Sequence, residues 1–274
     1  MKKEIINKIK NLLEKSVKKT IPKSNFGLLL SGGLDSSIIA YLLKTNKCKF
    51  NCYVVEIKNS NFKPSEDVIY AKKLAKDLGL KLKAIKIKDN QKIEKELKEV
   101  LKLIRKPDVM MTSIALPLQF ALKQAKKDGC EYIFYGGGCD SIFAGFNKHK
   151  QSTDINKQCL KSLKECKEKV KIREIKLANH NKIKLIFPFL EKELVNYTLK
   201  IPGKYKIKNN IEKYILRETA KEIGLPKYIA ERKKKAIQYS SNCQKSLKKL
   251  AKKRGFKKIK DYLQDIQKKT LFLL

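Results

Sequence analysis

No Cys-x2-Cys pair occurs among the seven cysteines, Cys48, Cys52, Cys130, Cys139, Cys159, Cys166 and Cys243, and their number is odd. That argues against a disulfide framework and against an ordinary zinc site, and it fits a reducing compartment. No apolar run approaches the ~20 residues that a membrane span requires. The start, Met1-Lys2-Lys3-Glu4-Ile5-Ile6-Asn7, scatters charges where a signal peptide would be apolar. A soluble, cytoplasmic protein with no membrane contact is expected. Internal repeats and Ser/Gly-rich linkers are missing too. Acidic residues are few, 27 against 65 Lys and Arg, and the net charge of +38 attracts any polyanion. Arginine is scarce, with only Arg105, Arg173, Arg217, Arg232 and Arg254. Arg is the usual choice for bidentate phosphate and base contacts, so the charge reads as a solvated Lys-rich surface with non-specific RNA binding.

What is present is 274 residues, 42% of them apolar, enough for one large domain or a domain with an extension. The chain is organised around Leu28-Leu29-Leu30-Ser31-Gly32-Gly33-Leu34-Asp35-Ser36-Ser37, an apolar run that breaks at the glycines and resumes as Ile38-Ile39-Ala40-Tyr41-Leu42-Leu43. A strand, a turn of residues without Cβ and a helix make a phosphate-binding shape, because the first helical N–H groups point outward at the positive end of the dipole. Gly32 and Gly33 let the backbone curl around an anion, and Ser31 and Ser36 can donate hydroxyl hydrogen bonds to it. Asp35 would repel a bare phosphate and makes sense if it holds Mg2+. The pattern lacks both the Gly-x4-Gly-Lys-Ser/Thr of the commoner ATP loop and the Gly-x-Gly-x-x-Gly of a dinucleotide turn.

Around this loop the pattern alternates strands and helices. An amphipathic helix carrying Ile5, Ile9, Leu12, Leu13 and Val17 ends at Pro22. Strands are expected at about 27–30, 50–57, 80–87 and 132–135, with helices to about Lys44, from Ser65 to Gly79, and at about 93–104 and 114–127. Strand, helix, strand implies parallel, right-handed crossovers, so the first half is a doubly wound α/β unit. Residues 147–184 are polar and Lys-rich, read as a solvent-facing helix or a mobile insertion. Later helices, Glu191 to Leu199 and Lys213 to Gly224 among them, precede a basic C-terminal extension, 246–274, beyond a domain at 1–245. Its apolar end, Leu271-Phe272-Leu273-Leu274, is expected to dock on the body or on a partner.

A second glycine-rich turn, Tyr135-Gly136-Gly137-Gly138-Cys139-Asp140-Ser141, also follows a strand and carries a second isolated Asp. Both turns would open at the carboxyl edge of one parallel sheet, so Asp35 and Asp140 can converge on one Mg2+. Read locally, Asp140 also suits a helix N-cap.

The first loop resembles the pyrophosphate loop of the PP-loop ATP pyrophosphatases. The two loops, Pro188-Phe189-Leu190, Glu212-Lys213-Tyr214-Ile215-Leu216-Arg217-Glu218 and Arg232-Lys233-Lys234-Lys235-Ala236 follow the order and spacing of the asparagine synthase domain, over roughly residues 1–240. That domain is the synthetase half of glutamine-dependent asparagine synthetases and of β-lactam synthetases. The resemblance implies an adenine nucleotide alpha hydrolase-like parallel sheet with a helical C-terminal part. It also implies a carbon–nitrogen ligase that uses ATP and Mg2+, activates a small carboxylate as an acyl-adenylate and transfers it to ammonia or an amine. By the same resemblance Leu30, Ser31, Gly33, Asp35 and Ser36 hold the phosphates and metal. Val55, Tyr135 and Gly136 line adenine and ribose, Asp140 is the second metal ligand, and Lys213 reaches the pyrophosphate, with Arg232, Lys233 and Lys235 nearby. A fixed ammonium facing the departing pyrophosphate would stabilise the charge that builds there.

Two departures stand out. Gly137 and Ser141 occupy the places of the two glutamates in the family's Gly-Glu-Gly-x-Asp-Glu, which leaves the acyl acceptor and the nitrogen donor open. The chain also begins directly with the helix before the synthetase core, so a separate glutaminase subunit or free ammonia is the expected nitrogen source. Competing readings are a tRNA-modifying adenylase of the lysidine-forming or thiolating kind and a non-catalytic nucleic-acid-binding relative. Thiolating enzymes commonly use a Cys-x2-Cys pair, which is missing here. Cys139 reads as a small buried residue.

Overall fold

The computed structural model describes residues 1–57, 64–233 and 241–271. Lys234, Lys235, Ala236 and the end Phe272-Leu273-Leu274 lie outside them. Five parallel strands, β1 (Phe26–Leu29), β2 (Asn51–Ile57), β3 (Lys81–Ile87), β4 (Tyr132–Phe134) and β5 (Lys184–Ile186), form one sheet in the order β3-β2-β1-β4-β5. The helices are α1 (Lys2–Thr20), α2 (Leu34–Thr45), α3 (Glu66–Leu78), α4 (Asn90–Ile104), α5 (Val109–Lys127), α6 (Cys139–Ile142), α7 (Asn147–Lys150), α8 (Ile155–Val170) and α9 (Lys176–His180), followed by a helical C-terminal part.

The strand order explains how the helices divide. From β1 the chain steps outward to β3, then returns beside β1 at β4; right-handed crossovers in opposite directions place their helices on opposite faces. On one face Phe26, Leu28, Cys52, Val54 and Phe134 meet α1, α2, α3 and the helix Tyr214–Glu222. On the other, Tyr53, Val55, Ile57 and Ile133 meet α4, α5, α9 and the helices Cys243–Lys253 and Ile259–Leu271. Successive strand residues alternate between the two cores, as the pleat requires. The sheet is thus doubly wound, and its switch point lies between β1 and β4.

Several local readings change in three dimensions. β5 is a strand that the sequence pattern did not signal, since its three residues begin with Lys and run into Phe187-Pro188. The Lys-rich stretch 147–184 is largely helical and not wholly solvent-facing. α8 buries Cys159, Ser162, Leu163 and Val170, and a π-helical turn, Lys171–Ile175, joins it to α9 with Arg173 and Glu174 buried. Beyond residue 243, lysines occupy the outer faces while Leu247, Leu250, Ala251, Tyr262, Leu263 and Ile266 are buried against α4, α5 and β2. Each buried Leu or Ile among them contributes roughly 1.5–3 kcal/mol when removed from water, so the basic stretch is fixed to the body by its apolar face.

Candidate active site at the carboxyl edge of the sheet

β1 ends at Leu29, the Leu30 N–H still donates to the Tyr53 carbonyl, and Gly33 caps α2. Gly32 has φ +65, and a Cβ there would stand 2.5 Å from the Ala71 nitrogen, so glycine is required where the loop touches α3. Gly32 is not among the residues lining the cavity described below. The Ser31 N–H donates to Ser36 Oγ at 3.2 Å, and the two hydroxyls are 3.2 Å apart. Gly33 N–H donates to Ser31 Oγ at 3.3 Å, so the serines hold the loop's shape from within.

The second loop meets the first directly: a Cβ on Gly136 would lie 3.2 Å from Asp35 Cβ. Gly138 has φ +92 and packs on Leu190, which accounts for the Pro188-Phe189-Leu190 turn that supports the loop. Asp140 lies in the four-residue helix α6. Its backbone carbonyl receives the Gly145 N–H at 2.8 Å. A Cβ on Gly145 would fall 2.1 Å from Asp140 Oδ1 and 2.4 Å from Lys213 Cε. Only a residue without a side chain leaves room for those two groups to meet.

Lys213 comes from far along the chain and adopts a left-handed conformation, φ +56, as it enters the helix Tyr214–Glu222. Its side chain is only 4% exposed. Nζ lies 2.7 Å from both oxygens of Asp35 and 2.7 Å from Asp140 Oδ1. Burial works against the charge, but Asp140 and Asp35 outweigh it and hold the ammonium protonated well above its ordinary range. The two carboxylates therefore converge on one cation. Hard carboxylate oxygens suit Mg2+, and as no group of three or more His, Cys, Asp or Glu poised for a metal occurs among the described residues, further oxygens would have to come from a ligand such as a phosphate.

Arg217 and Arg232 close the site from the C-terminal side. Arg217 donates from Nη1 to the carbonyls of Ala230 and Arg232 at 2.8 and 2.9 Å, fixing the turn that carries Arg232 and Lys233. Arg232 donates to the Ser31 carbonyl and to Asp67, both at 3.1 Å, and lies 4.1 Å from the Tyr70 ring centre. It thereby ties the first loop to α3.

Together these residues wall a cavity of about 560 Å³. Leu30, Ser31, Gly33, Asp35, Ser36, Val55, Tyr135, Gly136, Asp140, Lys213, Arg232 and Lys233 all line it. Gly137 and Ser141 line it as well. A Cβ at 137 would come within 2.7 Å of the Tyr135 ring, and Ser141 is turned to the Ser162 carbonyl at 3.3 Å. The wall also includes Arg173 and Glu174 from the π-helical turn, which sequence reasoning missed because they sit in a Lys-rich stretch with no motif. Gly145 and Arg217 were missed as site residues too, although Arg217 stands within the Glu212–Glu218 stretch. An open depression of about 660 Å³ near Lys19–Ser24 and Leu185–Phe187 gathers no carboxylate and no glycine loop.

A family described as asparagine synthase matches the chain over residues 8–176 and 153–265. A Methanocaldococcus jannaschii protein named "putative asparagine synthetase (glutamine-hydrolyzing) 1" is 32% identical over 316 aligned positions, which cover 99% of this chain and 57% of that protein. The glutamine-hydrolyzing asparagine synthetase of Gallus gallus is 29% identical over 237 positions, covering 84% of this chain and 42% of that protein. The chain thus spans about half the length of these relatives. Among solved structures, an NMN synthetase from Francisella tularensis aligns with a TM-score of 0.46 and 16% identity, covering 97% of this chain and 87% of that one.

Proposed function

The chain belongs to the asparagine synthase family, and from that premise we propose that it is an ATP-dependent, AMP-forming ligase acting on a small carboxylate. The observation that carries the reading is the buried Lys213 ammonium held between Asp35 and Asp140, where two glycine loops open on one cavity. In this reading Leu30, the Ser31–Ser36 loop and the start of α2 take the phosphates, and Val55, Tyr135 and Gly136 take adenine and ribose. Asp35 and Asp140 would hold Mg2+. Bound there, the ion would neutralise phosphate charge.

An oxygen of the substrate carboxylate attacks the α-phosphorus; the bond to the bridging oxygen breaks, and its electron pair leaves on pyrophosphate. Lys213 remains protonated throughout and faces the charge that builds on that leaving group. Arg232 holds the Ser31 carbonyl, so the loop need not reorganise as the bond breaks. The acyl-adenylate then passes to ammonia or an amine, supplied free or by a separate glutaminase subunit, and AMP departs.

Pyrophosphate release measured over a panel of small carboxylates, with and without ammonia and tRNA, tests the reading. Release that depends on a carboxylate and not on tRNA is expected. Asp35→Asn should remove most of it while leaving the circular dichroism spectrum unchanged, because one cation ligand is lost without a change of volume. Wild-type release in Asp35→Asn, or release that requires tRNA, would refute the assignment.

A further inference from the structure

Five carboxylates line the cavity: Asp35, Asp67, Asp140, Glu165 and Glu174. Asp35 and Asp140 share Lys213, Asp67 is paired with Arg232, and Glu165 with Lys148 at 2.8 Å. Glu174 is different. Its side chain is 1% exposed, and its Oε1 receives Arg173 Nε at 3.0 Å, Arg173 Nη2 at 2.6 Å and the Tyr135 hydroxyl at 3.3 Å. Its Oε2 is equally buried and has no hydrogen-bond partner among the described residues. A buried carboxylate oxygen without a donor is costly, on the order of 1–3 kcal/mol or more, so it marks a place where a donor belongs.

We propose that Glu174 receives the nitrogen nucleophile of the second half-reaction and accepts its proton, an inference that rests on the ligase reading above. Three features argue for it. Arg173 already balances the carboxylate's charge, so the spare oxygen favours a neutral N–H donor, the nucleophilic form of ammonia or an amine, over a second cation. The ring of Tyr135 stands against Gly137 and its hydroxyl reaches Glu174, so the spare oxygen belongs to the second-loop side of the cavity. Finally, the π-helical turn turns two consecutive residues, Arg173 and Glu174, inward together, an irregularity frequent at functional sites.

The step balances without another reagent. The nitrogen lone pair forms the C–N bond, and the acyl C–O bond to AMP breaks with its electron pair leaving on the phosphate. The surplus proton passes from nitrogen to Glu174 and on to solvent. The carboxylate faces the positive charge that grows on nitrogen as the bond forms.

The test separates the two half-reactions. Exchange of labelled pyrophosphate into ATP is measured with L-aspartate and a panel of other small carboxylates, and amide formation is measured with ammonium chloride. In Glu174→Gln amide formation should fall roughly 100-fold more than exchange. Hydroxylamine, whose N-protonated adduct is far more acidic than that of ammonia and can lose its proton to water, should restore most of the acyl transfer. The double variant Glu174→Gln/Arg173→Gln, which leaves no unpaired guanidinium, should show the same selective loss. Equal loss of both half-reactions in both variants, or no rescue by hydroxylamine, would make Glu174 a structural partner of Arg173 and overturn the proposal. Wild-type protein with no carboxylate-dependent exchange would sink the ligase reading itself.

Discussion

Lys206 is the most exacting test of the physical account, because it is wholly buried and its Nζ has no hydrogen-bond partner among the described residues. Burial lowers its ammonium from the ordinary 10.5 to about 8, and Cys159 opposes this only in part. The gap between those values corresponds to about 3 kcal/mol of destabilisation of the charged, folded form. The sign follows from proton counting. Between pH 8 and 10.5 the unfolded chain binds more protons at this group than the folded one, so stability rises with pH there. Below pH 8 both states are protonated and the full penalty is present. Lys206→Met, of similar length but uncharged, should therefore be more stable than wild type by about 3 kcal/mol at pH 7, or roughly 5–10 °C in Tm. At pH 10 the gain should shrink to about 1 kcal/mol. Urea titrations of both proteins at the two pH values give this difference directly, and other titrating groups cancel in the comparison. A variant no more stable at pH 7, or a gain undiminished at pH 10, would show that Lys206 does not carry an uncompensated buried charge.

Lys213→Ala should lower turnover about 100-fold or more while changing ATP affinity far less, since its charge is needed chiefly as pyrophosphate leaves; steady-state kinetics with direct nucleotide titration would reveal the opposite split. Gly145→Ala should drive Lys213 and Asp140 apart and cost roughly 100-fold in pyrophosphate release with an unchanged far-ultraviolet spectrum, and near-normal release would refute the packing argument. RNA bound to the Lys-rich surface should dissociate steeply between ~50 and ~200 mM salt with no preference for sequence, as filter binding at several salt concentrations can establish. A selective, salt-resistant complex would instead indicate recognition.

The two loops were legible in the chain because everything that makes them is local. An apolar run ending in Ser31-Gly32-Gly33 and another ending in Gly136-Gly137-Gly138 each place glycine where strand turns into helix, with Asp35 and Asp140 one turn on. Parallel strand order then obliges both to open at one edge of the sheet. The alternation of cores along β1 and β2 and the caps of the helices are equally local. Lys213 was not legible in this way: it is one basic residue among 65 and stands 178 positions from Asp35, so only resemblance to a family singled it out. What distinguishes it is burial between two carboxylates, a property of the packed structure. The same holds for Glu174 and Arg173 in a stretch that reads as solvent-facing, for Gly145, whose missing side chain matters only because two others occupy that space, and for Lys206. Sequence alone determined the strand–glycine–helix units and their polarity, since backbone conformation and periodicity are short-range. Which charges are buried, which are paired and which carboxylate keeps a spare oxygen was decided only by the tertiary structure, because those depend on neighbours that the sheet topology brings together across long stretches of chain.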